Sequence, residues 1–383
     1  MKNFRNILLV ALVFLCLFCS CSIEGGALGT GPKESAPQEK EGREKEKKNP
    51  DEDENEDETD DDNETGDNET EDNEKEDDSE EISPPPPAVF LLCKALPENE
   101  IVFEFSSPVS LVCLNFDREL GYIVIEEGSE VKIKLTENPD PGLSVKADLQ
   151  VKDEFENIVS KQVNFRTRNN NVPKMQINEL RTLYKNPQAE YIEFKILSDG
   201  NLSALRVFAA GNDKTPLIYE FEPVVVKAGE YVVLHLRKLE ESCEDEYGDS
   251  LDKSRGTDSC PTARDFWING TTKLLRDTDA VYVLDQDDKV LDAVMFALNA
   301  NSWLNKNYFP KTAEFLFNQG AWKSTTGTVC GAADVVNSSG IGTAMTRSIS
   351  RDETVENTHS AADWYITANG GTTPGKPNSP TRL

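Results

Sequence analysis

The pattern of apolar and polar residues over 175–197 predicts a strand, a polar turn and a second strand. In YIEFKI (191–196), Ile192, Phe194 and Ile196 fall on one face and mainly polar side chains on the other, which predicts a strand with one buried side. Residues 177–180 predict a preceding strand, and KNPQ (185–188) between them has turn chemistry, because proline restricts φ and asparagine tolerates tight geometry. This pair is predicted to open a β-sandwich.

Residues 88–170 predict a first, smaller antiparallel sandwich of seven short strands. The apolar runs that predict these strands lie at 89–93, 100–105, 109–116, 122–126, 131–135, 143–151 and 158–165. FSSPV (105–109), DEFEN (153–157) and FRT (165–167) resemble motifs of bacterial immunoglobulin-like domains, which often carry F-S-x-P-V, D-x-x-G-N and F-R-T. Glu156 stands where that loop usually has glycine. The resemblance implies a spacer or binding module.

Residues 173–378 predict a second sandwich, in which DQDD (285–288) joins two apolar strands as a hairpin. Eight motifs follow one another: I-N-E-L, E-Y-I-E-F, N-L-S-x-L, K-A-G-E-Y-V-V, V-Y-V-L-D-x-D-x-K-V-L-D-A-V, S-x-S-R, D-W and T-P-G-x-x-N. In this order they resemble the lamin tail domain of bacterial proteins. That resemblance implies an immunoglobulin-like sandwich with a binding or anchoring role. The predicted fold class is therefore all-β, with two tandem immunoglobulin-like β-sandwiches after a disordered acidic tail.

Two insertions, at about 238–279 and 297–345, make this domain longer than the lamin tail pattern. Cys243 and Cys260 bracket a polar loop in the first insertion, and we predict that they form a disulfide in an oxidising compartment; two separate thiols are the alternative. PKTAEFLFNQG (310–320) predicts a short helix that begins at proline and ends at glycine. Four aromatic residues around this helix are predicted to plug the end of the sandwich, the alternative being an exposed contact patch: Trp303, Tyr308, Phe309 and Trp322.

Residues 1–20 predict a lipoprotein signal peptide, because Lys2 and Arg5 precede an apolar run. The run ends in LFCSC (17–21), which resembles a relaxed bacterial lipoprotein signal and implies that Cys21 becomes the lipidated N-terminus. An uncleaved membrane anchor is the alternative, although the run is short for a full span. By the same resemblance, Ser22 after the cysteine implies outer-membrane sorting. The predicted location is the cell envelope, on the periplasmic face or the cell surface.

Residues 21–87 predict a disordered linker. Between residues 51 and 81 there are 21 acidic residues and one lysine, within a chain of formal net charge −30. Such a segment buries too little apolar surface to offset its ordering entropy, so it is predicted to act as an extended stalk. A low-affinity cation reservoir or a docking segment for a basic partner is the alternative. The absence of a basic stripe argues against nucleic-acid binding.

The sequence contains little evidence of a catalytic site. The chain has two histidines: His235 lies in a predicted strand, and His359 is followed by Ser360 and Asp363. Residues so close in sequence seldom form a triad, because the side chains must converge on a substrate beside an oxyanion hole. No C-x-x-C motif or histidine cluster indicates a metal site, so we predict no enzyme, no metal and no cofactor.

The other candidate side chains have structural interpretations. The acidic residues of the 285–292 hairpin are interpreted as solvated, and Arg351 and Trp364 are predicted to hold the last strand in place. Cys93 and Cys113 are predicted either to pair or to be buried, and Cys330 is left over.

The predicted function is non-catalytic binding or adhesion at the cell envelope. The predicted partners are the membrane, through the lipid on Cys21, and an envelope protein or other ligand that the sequence does not identify. A structural spacer in envelope assembly is one alternative. A hydrolase-associated surface protein is another alternative, and it rests only on the enzymes that occur beside lamin tail domains in other proteins.

Overall fold

The computed structural model describes residues 85–212, 215–304 and 308–383. These residues belong to the second of the two units into which the chain divides, Glu80–Leu383. The predicted lipidation site Cys21 and the acidic stretch 51–81 lie outside the described residues.

Strands dominate both β regions. The first region contains β1 (Phe90–Ala95), β2 (Glu100–Phe116), β3 (Tyr122–Glu126), β4 (Gly128–Leu135), β5 (Ser144–Asp153) and β6 (Ile158–Arg166). The second contains β7 (Met175–Arg181), β8 (Tyr191–Ile196), β9 (Gly200–Asn201), β10 (Arg206–Ala209), β11 (Leu217–Glu220), β12 (Val225–Val226), β13 (Tyr231–His235), β14 (Arg264–Trp267), β15 (Asp279–Leu284), β16 (Val290–Ala297), α1 (Ala300–Leu304), α2 (Tyr308–Asn318), β17 (Val336–Asn337), β18 (Ile349–Arg351) and β19 (Trp364–Ile366). Short 3-10 helices occupy Pro97–Asn99, Ala332–Asp334, Ser339–Ile341 and Ala361–Asp363.

The first region is a six-stranded antiparallel sheet, not the seven strands that the sequence predicts. The predicted strands at 100–105 and 109–116 are one continuous strand, β2. The first half of β2 pairs with β1 and β4, and its second half pairs with β5. The register changes between Glu104 and Val109, and Pro108 lies in this break, where a residue without a backbone N–H is tolerated.

One core unites the two halves of this sheet. On β5, Val145, Ala147, Leu149 and Val151 are buried and the residues between them are mostly exposed, as in a strand with one buried face. They share a cluster with Phe103 of β2 and with residues of β1, β4 and β6. Burying this apolar surface is the main force that holds the region together.

The loop between β5 and β6 explains why its motif usually contains glycine. Glu156 adopts φ +66°, a left-handed conformation that glycine adopts without steric cost. The Asp153 carboxylate stabilises the loop by accepting hydrogen bonds from the backbone N–H groups of Phe155 and Asn157, both at 2.9 Å. The sequence predicts that glutamate in place of glycine changes this turn, whereas the structure has Glu156 in the left-handed conformation that glycine would adopt.

The second region places two sheets around one core. One sheet has the order β14-β13-β8-β7-β18-β19, the other has the order β11-β10-β15-β16-β17, and β9 pairs with β12. Neighbours are antiparallel except for the pairs β13–β14 and β16–β17. Ile177 and Phe194 of the first sheet share a buried core with Val283 and Val294 of the second. The prediction of an all-β fold is thus confirmed.

The two insertions extend these sheets. The first supplies β14, which lies parallel to β13 at the sheet edge, and the second supplies α1 and α2. The helix predicted at 310–320 is observed as α2, with Pro310 in its first turn and Gly320 beyond its end at φ +69°. Among the described residues, no helix has the length and apolarity needed to cross a membrane.

Candidate binding cleft between the two insertions

Two glutamates of the lamin-tail-like motifs are buried. The sequence predicts a mainly polar outer face on β8, yet Glu193 and its neighbour on β7, Glu179, are inaccessible. The Glu179 carboxylate accepts hydrogen bonds from the Tyr191 hydroxyl at 2.7 Å, the Ser348 hydroxyl at 2.5 Å and the Thr373 backbone N–H at 3.0 Å. Removal from water raises the pKa of both carboxyl groups.

The T-P-G-K-P-N segment covers these glutamates. Glu193 accepts a hydrogen bond from the Gly375 backbone N–H at 2.5 Å and from the Asn178 amide at 2.9 Å. The Asn378 amide donates to the carbonyl oxygens of Asn178 and Arg351 at 3.0 and 2.9 Å. Motifs that are far apart in the chain therefore meet in one hydrogen-bonded network, which ties the C-terminal segment to the sheet.

A buried ion pair joins the last part of the domain to the first, as the sequence predicts for Arg351 and Trp364. The Arg351 guanidinium donates to Asp292 at 2.6 Å and to the Ile177 carbonyl at 2.7 Å, and it lies 4.4 Å from the Trp364 ring centre. Asp292 also accepts a hydrogen bond from the Ile177 N–H at 2.7 Å. Asp363 also lies 3.9 Å from the guanidinium. Arg351 of β18 is thus joined to β16 by the ion pair with Asp292 and to β7 by the hydrogen bond to Ile177.

His235 fastens the first insertion to the sheet. Its ring stacks on Trp267 at 3.8 Å, and Nε2 lies 3.0 Å from an Asp265 carboxylate oxygen. Asp265 also accepts a hydrogen bond from the Cys260 backbone N–H at 2.7 Å. His235 is fully buried, so its position is that of a core residue rather than of a group that meets a substrate.

The predicted Cys243–Cys260 disulfide is not present. Both cysteines are buried and free, and so is Cys330, whereas Cys93 and Cys113 are half-buried free thiols. The Cys260 sulfur lies 3.1 Å from the Pro374 carbonyl oxygen, while the Cys243 sulfur faces Gly256. The two sulfurs thus have separate surroundings, although a 16-residue loop joins them.

The state of these cysteines can be measured directly. We expect alkylation of the denatured, unreduced protein to label both Cys243 and Cys260, because the structure holds each as a thiol. Peptide mass mapping provides the readout, with a sample reduced before alkylation as the control. A linked peptide that contains both cysteines would contradict this expectation.

The Ser360–His359–Asp363 group forms a turn rather than a triad. The Asp363 carboxylate accepts hydrogen bonds from Thr358 and Ser360, and the Ser360 hydroxyl accepts one from Ala362. These bonds cap the short helix Ala361–Asp363. Among the described residues, no hydrogen bond joins the His359 ring to Ser360 or Asp363, and Nδ1 of His359 is buried without a partner.

The acidic residues of the β15–β16 hairpin pair with different basic residues. Asp287 pairs with Arg168, and Asp288 pairs with Arg206 at 2.7 Å. The sequence predicts a solvated Asp292, but this residue is buried in the ion pair with Arg351. Within 85–212, 215–304 and 308–383, no three acidic, histidine or cysteine side chains converge as metal ligands would.

The aromatic residues of the second insertion close the end of the sandwich, as the sequence predicts. Trp303, Phe309 and Trp322 are buried in the main core, and Tyr308 is half-buried beside them. Trp303 stacks on Phe309 with ring centres 4.5 Å apart, and the Trp322 indole donates to the Asp334 carbonyl at 2.8 Å. The alternative, an exposed aromatic patch, does not describe these three buried side chains.

A cavity of about 520 Å³ opens where the two insertions meet. Lys273, Arg276, Asp277 and Thr278 line it from the end of the first insertion and the start of β15. The remaining lining residues are Gly211 from the β10–β11 connection and Leu298, Ser302 and Tyr308 from the second insertion. We call this space the insertion cleft.

Positive charge marks the insertion cleft in a strongly acidic chain. Lys273 pairs with Asp277 at 3.0 Å, while Arg276 is exposed and its guanidinium has no hydrogen-bond or ion-pair acceptor among the described residues. The hydroxyl groups of Thr278 and Ser302 are joined at 3.1 Å in the same wall. The cleft can therefore offer the Arg276 guanidinium to an acidic ligand.

Asp279, next to this wall, is fully buried. Its carboxylate accepts hydrogen bonds from the backbone N–H groups of Gly211 at 2.7 Å, Arg276 at 2.9 Å and Ala280 at 2.8 Å. These bonds connect the wall of the insertion cleft to β15. Burial raises the pKa of Asp279 to about 7, although the three donors favour the charged form.

Asp279 gives stability a predictable pH dependence. Because folding raises the pKa of Asp279 from 3.8 to about 7, the folded state binds this proton more tightly, and stability decreases as pH rises through that interval. As pH rises from 3.8 to about 7, the free energy of unfolding of the native protein should fall by at least about 1 kcal/mol more than that of Asp279→Asn. Urea unfolding of both proteins at several pH values measures this, and equal pH slopes would contradict it.

Sequence reasoning missed the insertion cleft because its lining residues come from three separate segments. Lys273 and Arg276 form no motif, and only their positive charge within an acidic insertion could have indicated a site.

Parts of the chain are similar to known proteins. A protein of Treponema pallidum (strain Nichols), described as "Uncharacterized protein", is 30% identical over 164 residues, and the match covers 40% of each chain. The chain thus spans well under half of that relative's length. The crystal structure of a DUF4876 family protein from Bacteroides thetaiotaomicron VPI-5482 is also similar, at 14% identity and a TM-score of 0.21, over 58% of this chain and 80% of that one.

The family match covers the second β region from β7 to β19. Residues 173–366, about half of the chain, match the model of a family described as "protein second domain". This interval contains both sheets of the sandwich, both insertions and every residue that lines the insertion cleft. The chain belongs to the family described as "protein second domain".

Proposed function

We propose that the protein is a non-catalytic binding or adhesion protein of the cell envelope, anchored by a lipid on Cys21. The support for the anchor is the signal-like N-terminus with its LFCSC ending. In this proposal the first β region is a bacterial immunoglobulin-like module and the second is a lamin-tail-like module. The motifs that meet in the Glu179–Glu193 network support the second assignment.

The insertion cleft is the proposed contact site. The observation that carries this proposal is the exposed Arg276 guanidinium in a cavity that both insertions line. The buried polar groups, by contrast, are mostly engaged in bonds that join strands and loops. A ligand or partner that presents an acidic group would meet a positive site at the junction of the two segments that distinguish this domain.

The test uses the full chain as bait for an envelope extract. Arg276→Glu should lower the retention of a saturable partner by about tenfold or more, because an acidic group would then face a negative site. Arg255→Glu is the matched control, since Arg255 is exposed in the same insertion and does not line the cleft. Equal retention by the two variants would remove the cleft from the proposal.

The anchor has its own test. Cys21→Ala should abolish metabolic labelling with a fatty acid and release the protein in soluble form. Full labelling of this variant would overturn the lipid anchor without affecting the cleft.

A structural spacer is the second candidate, because the two β regions are firmly joined. Arg166 of β6 pairs with Glu222 at 2.7 Å and with Glu220 at 2.6 Å, and Arg168 pairs with Asp287. The buried Asn169 amide also donates to the Ser203 carbonyl at 2.9 Å. Such contacts suit a stiff spacer, and the absence of any saturable partner in the extract would favour it.

A further inference from the structure

The edge strand β3 has one unused side. Within the described part of the chain, β3 pairs only with β4, and the sheet order β3-β4-β2-β5-β6 places it at the end. A strand in this position leaves backbone N–H and C=O groups available to another strand. The register changes between Val124 and Glu126, so Ile125 has no cross-strand partner on β4.

The side chains of β3 are unusually apolar for an exposed edge. Ile123, Val124 and Ile125 are 56%, 44% and 48% exposed, so apolar groups face water on both sides of the strand. No proline or lysine lies in YIVIE (122–126) to discourage pairing with another strand, although the change in register is one protective feature. Exposed apolar surface of this kind marks an interaction site.

We propose that β3 pairs antiparallel with β3 of a second copy, which makes the protein a dimer about a two-fold axis at Val124. In this register Ile123 lies opposite Ile125 of the second copy, and Val124 lies opposite Val124 of the second copy. A two-fold interface must be complementary to itself, and the sequence I-V-I satisfies this condition.

The apolar side chains at the centre of β3 favour a second copy over a basic peptide. Lys132 already pairs with Glu126 at 3.0 Å and with Glu130 at 2.8 Å, and the Glu127 side chain accepts a hydrogen bond from the Leu111 backbone N–H. The two-fold register also sets Glu126 opposite Tyr122 of the second copy, so like charges are not opposed. The centre of this edge is the exposed apolar run 123–125, so the strand that fits it is itself apolar, and β3 of a second copy supplies such a strand.

Disulfide trapping tests the register. Facing residues of an antiparallel pair have Cα atoms about 4.5 or 5.5 Å apart, and both distances suit a disulfide. Under mild oxidation, Val124→Cys in the full chain should form a covalent dimer through residue 124 of both copies, identified by peptide mapping. Val112→Cys is the control, because Val112 is 52% exposed on β2 and away from the edge. The unmodified chain controls for the native cysteines.

Sedimentation of the detergent-solubilised full chain tests the dimer without a new cysteine. The native protein and Val112→Lys should sediment as dimers, whereas Val124→Lys should be a monomer, because two ammonium groups would meet at the axis. Equal thermal unfolding of the two variants would show that Val124→Lys remains folded. The proposal would be overturned if the native protein stayed monomeric. It would also be overturned if Val124→Cys linked only to other cysteines, or if residues 22–84 covered β3.

Discussion

Arg351→Ala is expected to lower the free energy of unfolding by about 3–5 kcal/mol, since it leaves a buried carboxylate without its counter-charge. Arg351 and Asp292 are both almost fully buried, and the guanidinium also donates to the Ile177 carbonyl. Its loss would therefore loosen β18 from β7 and β16 together. Chemical denaturation of the native and variant proteins measures the change.

Two further variants show what the Arg351–Asp292 pair contributes. The double variant Arg351→Met with Asp292→Leu should recover part of the loss, because an apolar pair leaves no unpaired charge in the core but removes both partners of the Ile177 backbone groups. Arg382→Ala should cost less than about 1 kcal/mol, since the Arg382–Asp352 pair lies at the surface. If Arg351→Ala were as mild as Arg382→Ala, the buried pair would not be what joins these strands.

Gly375→Ala is expected to destabilise the protein by about 2–4 kcal/mol, through backbone strain and overpacking together. Gly375 adopts φ +72°, where an L side chain is strained. An added Cβ would meet the Cys260 sulfur, the Thr262 hydroxyl at 2.7 Å and the Ala263 side chain at 3.1 Å. The substitution would also displace the N–H that Glu193 accepts, so the C-terminal segment should detach from the sheet.

Gly370→Ala separates the two causes. Gly370 has nearly the same backbone, at φ +79°, but an added Cβ there would have no atom within 4 Å. Only the strain remains, so a loss of about 1 kcal/mol is expected. Thermal or urea unfolding of both variants measures the difference, and equal losses would show that the contacts of Gly375 with the first insertion are unimportant.

Local patterns predicted the strands well, but they did not predict all of their partners. Alternation along β8 identified Ile192, Phe194 and Ile196 as residues that face the core, and Pro310 and Gly320 marked the limits of α2 to within about two residues. The continuity of β2 was missed, because Pro108 indicates a break when only its neighbours are considered. The strand continues because its two halves find different partners, β4 and β5.

The polar face of β8 was misjudged for a similar reason. Alternation predicts solvent on the Glu193 side, yet the segment 373–378 covers that face, and its Gly375 N–H donates a hydrogen bond to the carboxylate. A buried glutamate is tolerated only when such hydrogen-bond donors are in place. Their presence depends on a contact across 182 residues, which no local pattern can show.

By itself the sequence determined the all-β class, the turn at 185–188, the acidic composition of the N-terminal part and the aromatic plug of the second insertion. These features follow from local chemistry: side-chain alternation, turn residues and hydrophobicity. Only the tertiary structure decided that Cys243 and Cys260 are free thiols, that Glu179 and Glu193 are buried, and that the insertion cleft exists. Each of these depends on long-range contacts, and long-range contacts are formed by the packing of the whole domain rather than by neighbours in the chain.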